Sequence, residues 1–159
     1  MNADTDLRIT QAALDDAPLV YRIMQDAFAE YHGVLTPPPG VYAETVEDVI
    51  NAMKAGGAVI AWVGDDAAGS ARYAFLDNGH CYVGRVSVLP AYRGHGVASA
   101  MMLYIEPIAR DHKCKAMEVT VRAVLENNIH LYQHIGYAVT ETYEHPKGGG
   151  MIATMVKPL

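Results

Sequence analysis

The chain has 159 residues, 51% of them hydrophobic and 19% charged, and its 12 Lys and Arg against 18 Asp and Glu give a formal net charge of −6. That length fits one domain, residues 1–159, with a core large enough to fold without a metal or disulfide, and the composition excludes a disordered chain. The acidic balance argues against a general nucleic-acid binder, and no stretch approaches the roughly 18 apolar residues of a spanning helix, so neither nucleic acid nor membrane is an expected partner.

Cys81 and Cys114 lie far apart and match no metal-ligand spacing, which is the pattern of reduced thiols in a cytoplasmic protein. The opening MNADTDLRIT lacks the basic start and apolar run of a secretory leader.

In chain order, residues 7–10 alternate and predict a first strand. Asp15-Asp16 ahead of Ala17-Pro18 marks a helix start, where proline is tolerated. Leu19, Ile23 and Ala27, with Val20, Met24 and Phe28, recur at helical spacing until His32-Gly33 stops the pattern near Tyr31. Pro37-Pro38-Pro39-Gly40 makes residues 35–42 a stiff loop. Residues 45–55 carry a second helical pattern closed by Gly56-Gly57.

The period then changes. Residues 58–63, 69–76 and 80–89 are β-like runs separated by Gly64-Asp65-Asp66 and Asp77-Asn78-Gly79, an antiparallel meander. A helix over 97–110, a strand over 117–121, a helix over 126–134 and strands over 137–143 and 151–156 complete the chain. The order β-α-α-β-β-β-α-β-α-β-β predicts an α/β (mixed α+β) fold, a central mixed, mostly antiparallel sheet with flanking helices.

The most informative stretch is Arg93-Gly94-His95-Gly96-Val97-Ala98, between a strand and an apolar helix. Backbone N–H groups converge at a helix start, glycines let an anion approach them, and Arg93 adds positive charge at the mouth. The spacing fits neither a dinucleotide fingerprint nor an ATP loop. An anion cradle and an ordinary strand–helix turn both fit these residues.

Val86-Ser87-Val88-Leu89-Pro90 leading into Arg93-Gly94-His95-Gly96-Val97-Ala98 resembles the acetyl-CoA signature Arg/Gln-x-x-Gly-x-Gly/Ala of the GNAT-type N-acetyltransferase superfamily. Leu131-Tyr132-Gln133-His134-Ile135-Gly136-Tyr137 is similar to its Leu-Tyr-x-x-x-Gly-Phe/Tyr segment. The resemblance spans roughly residues 7–158, with its specific core at 81–137. Many relatives carry Asn seven positions before the tyrosine. Leu125 stands there in this chain, with Asn127 and Asn128 displaced and Asn127 kept as a cofactor-binding candidate.

The resemblance implies the acyl-CoA N-acyltransferase fold and direct acetyl transfer from acetyl-CoA to an amine. It places the pyrophosphate on the backbone of Arg93, Gly94, His95, Gly96, Val97 and Ala98. It runs the pantetheine arm along Val86 and Val88, where the strands holding residues 85–89 and 117–121 would splay. Tyr132 is the implied general acid toward the sulfur, since a phenol is a neutral donor at pH 7. Tyr137 is expected to pack in the core.

The general base stays open among His80, Tyr82, Glu118, Glu30, Tyr31 and His32, or water. His130 and His134, one turn apart, lack a third ligand, so no metal is expected. The acceptor pocket is expected between residues 31–42 and 143–150; Asp26, Glu30, Glu44 and Glu47 fit either carboxylates that attract a cationic amine or the wet faces of two helices. The expected acceptor is a small-molecule amine, with a protein amine as the other choice. A homodimer is implied by the superfamily, and a non-catalytic coenzyme A-binding or sensor module is the competing function.

Overall fold

The computed structural model describes residues 6–31, 33–35 and 39–159; His32, Pro37 and Pro38, singled out above, lie outside the described residues. Strand β1 (Leu7–Gln11) is a sheet edge. Helix α1 (Ala17–Phe28) starts at the Pro18 signal and buries Ala17, Val20, Ile23, Met24 and Ala27, the apolar stripe seen in the sequence. A 3-10 turn carries it on to Tyr31. Pro39 opens a second such turn over Gly40–Ala43 that buries Val41, so the proline loop is partly regular. Thr45 caps α2 (Val46–Ala55): its hydroxyl accepts from the Asp48 N–H at 3.2 Å, and the Asp48 carboxylate accepts from the Thr45 N–H at 2.9 Å.

Strands β2 (Gly57–Val63), β3 (Asp66–Phe75) and β4 (His80–Val88) form the meander. β3 begins at Asp66 rather than near residue 69. Gly64 at φ +59° makes a two-residue turn sufficient, and Val63 pairs directly with Asp66. The uninterrupted apolar run of β2 reflects burial on both faces. Val59 and Ala61 enter one core and Ala58 and Ile60 the other.

Helix α3 (Val97–Asp111), β5 (Ala116–Arg122), α4 (Glu126–His134), β6 (Ala138–Glu144) and β7 (Met151–Pro158) follow, giving the element order read from the sequence. Among the described residues seven strands lie in the order β1-β2-β3-β4-β5-β7-β6, and of these only β4 and β5 run parallel. α1 and α2 cover β2 to β4 on one face, and α3 packs on the other around Met101, Met102 and Ile105. Glu106 of α3 is buried and forms an ion pair with Lys157 of β7 at 2.5 Å.

Two irregularities position the site. Parallel pairing of β4 with β5 covers His80–Ala116, Cys81–Met117 and Tyr82–Glu118 and then stops, while β5 stays paired to β7 along its whole length. The strands therefore part from Val83, sooner than the expected residue 85. In β4, Ser87 faces Ser70 and Gly84 faces Arg72, so Arg85 and Val86 oppose Ala71 alone. Arg85 takes φ +50° to make this bulge, which re-aims the strand beyond it.

Candidate active site

The start of α3 is built to receive an anion. Gly94 and Gly96 hold φ +80° and +78°, and a Cβ on either would meet nothing within 4 Å. Both glycines are therefore required by backbone direction, and the space beside them is open. The first bond into the helix runs from the Ala100 N–H to the Gly96 carbonyl at 3.0 Å, leaving Val97, Ala98 and Ser99 N–H groups without an intrahelical acceptor. This donor set suits a diphosphate, since the helix end also carries partial positive charge.

Arg93 lines the site beside this loop, but its guanidinium is engaged. Its Nε donates to the Val88 carbonyl and its Nη2 to the Ala27 carbonyl, each at 3.0 Å, and Nη1 pairs with the Glu30 carboxylate. The guanidinium thus ties the loop to the C-terminal end of α1. Its charge is spent there.

A cavity of about 1030 Å³ runs from the glycine loop to Tyr132. Its walls are the end of α1, the last residues of β4, the start of α3 and one side of α4. Of the residues read as cofactor-binding, Val86, Val88, Arg93, Gly94, Gly96, Val97, Ala98 and Asn127 line it, together with Tyr132; His95 is exposed and lies outside the lining. Ser87 and Leu131, quoted in the motifs but given no site role, also line it, as does Ser99, which the sequence reading did not name. Leu125 contributes an apolar wall from the position where relatives carry Asn.

Tyr132 is buried and packs edge-on against the buried Tyr137, with ring centroids 5.7 Å apart. Burial, and secondarily the nearby Tyr82, push the Tyr132 phenol above its ordinary pKa, so it is held protonated. Tyr137 is raised as well, chiefly by burial. Tyr82 lies at the last paired position of β4, and its hydroxyl is 2.8 Å from that of Thr120 on β5.

Of the other base candidates, His32 lies outside the described residues, and His80, Glu118 and Glu30 have partners. His80 Nδ1 is 2.8 Å from a Glu118 oxygen, and Glu30 is engaged by Arg93. Tyr31 lines the cavity and is raised by burial and then by Glu30. Among the described residues, no three His, Cys, Asp or Glu side chains gather as a metal site. Glu44 accepts from Arg72 and Arg85, each at 2.5 Å, while Asp26 and Glu47 are exposed and line neither cavity. Sequence spacing gives no signal for such arginine partners, 28 and 41 residues away for Glu44 and 63 for Glu30.

A second cavity of about 260 Å³ adjoins the first, sharing Val34 and Val124 with it. It lies between residues 34–35, the end of β5 and the β6–β7 turn at His145, Gly149 and Gly150.

Comparison with known proteins gives a consistent picture. A model described as the acetyltransferase (GNAT) family matches residues 20–137. No curated protein matches the sequence. Among solved structures, the chain is similar to Ard1 from Thermoplasma volcanium, with a TM-score of 0.78 at 18% identity over 97% of this chain and 98% of that one. It is also similar to the PaiA N-acetyltransferase from Thermoplasma acidophilum in complex with coenzyme A, with a TM-score of 0.78 at 15% identity over 96% and 99%. A third similar structure is the ribosomal-protein-S18-alanine N-acetyltransferase from Escherichia coli, with a TM-score of 0.74 at 18% identity over 96% and 93%.

Proposed function

The chain belongs to the acetyltransferase (GNAT) family, and from that premise we propose that it moves an acetyl group from acetyl-CoA directly onto a primary amine of a small molecule. The observation that carries this is the continuous cavity joining the glycine loop to the buried phenol of Tyr132. When bound, acetyl-CoA supplies a thioester whose carbonyl carbon takes the amine's lone pair as the C–S bond breaks and its electrons leave on sulfur.

The chain's own residues do the rest. Backbone N–H groups at residues 97–99 hold the diphosphate, and Gly94 and Gly96 keep room for it. The re-aimed end of β4, with Val86 and Val88, guides the pantetheine arm toward the parted strands. Tyr132 meets the departing sulfur as a neutral donor. Its raised pKa makes it a hydrogen-bond donor to the thiolate first and a proton source second. Tyr82 and Thr120 share a hydrogen bond at the parting, and the proton lost by the amine leaves to water there.

The second cavity lies where the acceptor was expected, between residues 31–42 and 143–150, and it serves as the acceptor pocket. The chain works as one domain in the cytoplasm. A homodimer forms through the open outer edge of β6, which offers unpaired backbone groups.

The test is calorimetric titration with acetyl-CoA followed by an amine screen read by free-thiol release. Micromolar binding with amine-dependent release is expected. Failure to bind acetyl-CoA, coenzyme A or any other acyl-CoA would overturn the assignment, and binding without turnover on any amine would leave a sensor module.

A further inference from the structure

We propose that the donor site reads the diphosphate and the pantetheine arm of acetyl-CoA but not its 3′-phosphate, so that the 3′-dephospho form serves equally as donor. This rests on the assignment above and deepens it, by fixing which parts of the thioester donor the chain recognises.

The charges along the large cavity carry the inference. Of the chain's 12 Lys and Arg, all of them among the described residues, Arg93 is the one that lines it. Its three guanidinium nitrogens are turned to the Val88 carbonyl, the Ala27 carbonyl and the Glu30 carboxylate. Two carboxylates line the same cavity, Glu30 within that pair and Glu126 at the start of α4. One cation, already neutralised, therefore shares the wall with two anions in a site that receives a polyanion.

What the cavity offers a phosphate is neutral. The Val97, Ala98 and Ser99 N–H groups gather at the start of α3, and the helix field that assists them fades within the first turn. Such a set satisfies one compact anionic group, and the diphosphate is that group. The 3′-phosphate is a separate dianion on the ribose. A group of that kind is held firmly by Arg or Lys, through charge-assisted and often bidentate bonds. With Arg93 committed to α1 and Glu126 on the wall, a second phosphate gains no cation from the cavity and meets a like charge there. The net charge of −6 adds repulsion at longer range.

The experiment titrates coenzyme A, 3′-dephospho-coenzyme A and 4′-phosphopantetheine into the protein by calorimetry. Each is run at about 0.15 M and about 0.01 M salt, where the screening length grows from about 8 to about 30 Å. Coenzyme A should be favoured over its 3′-dephospho form by no more than about threefold at both salts. The 4′-phosphopantetheine, which lacks the diphosphate, should bind about tenfold or more weakly than either. A larger preference for coenzyme A at either salt would reveal a cation reading the 3′-phosphate, and would overturn the inference while leaving the transferase assignment standing. A smaller loss with 4′-phosphopantetheine would overturn it from the other side, by showing the diphosphate unread. If none of the three binds, the assignment falls and the inference falls with it.

Discussion

Replacing Gly96 by Asn and by Asp isolates charge from backbone cost at the phosphate loop. At φ +78° either side chain strains the backbone by about 1 kcal/mol, and Asn and Asp tolerate this region better than most residues. Nothing lies within 4 Å of the added Cβ, so neither variant should clash. The two side chains are nearly the same shape and differ by one negative charge. If a diphosphate of about two charges sits about 5 Å away, Coulomb's law in water gives about 1.7 kcal/mol of repulsion, and a lower local dielectric raises it. Acetyl-CoA should therefore bind Gly96→Asp about twentyfold more weakly than Gly96→Asn, read by calorimetry at fixed ionic strength. Melting temperatures of the two should fall together. Equal Kd values would refute the placement of the diphosphate at this loop.

Other expectations concern stability and pH. Lys157→Met leaves the buried Glu106 carboxylate unpaired and should cost about 2–3 kcal/mol, a fall of roughly 5–10 °C in Tm, with recovery in the Glu106→Gln, Lys157→Met double variant. Buried Cys81 is pushed up to about 12 from 9.0. The unfolded chain then ionises this thiol first as pH rises, so its contribution is full below pH 9 and is lost between 9 and 12. That loss is about 2 kcal/mol near pH 10.5, and urea unfolding should show the decline shrinking in Cys81→Ala. A stability that rose over that range would contradict the burial of the thiol.

Much of this was legible in the sequence because periodicity and turn chemistry are local. The stripe from Leu19 to Phe28, the turns at Gly64 and Gly79, and the glycines ahead of Val97 all mark elements where they occur. Long-range electrostatics left no such mark. Arg93, placed by its motif, spends its guanidinium on Ala27, Val88 and Glu30, and the carboxylates of Glu30 and Glu44 are neutralised by arginines distant in sequence. Arg85 at positive φ is equally invisible, because a bulge is set by register between two strands rather than by residue type. His95 sits inside the motif yet outside the cavity, since the backbone turns at the glycines on either side and leaves its side chain exposed.

Acetyl transfer at the buried phenol is tested most directly by Tyr132→Phe, which removes the donor and keeps the ring. Tyr132 lines the cavity through a buried side chain, so acetyl-CoA should bind the variant within about threefold of the wild type. Loss of a catalytic proton donor should lower kcat about 100-fold or more. Unchanged turnover with unchanged binding would contradict the account.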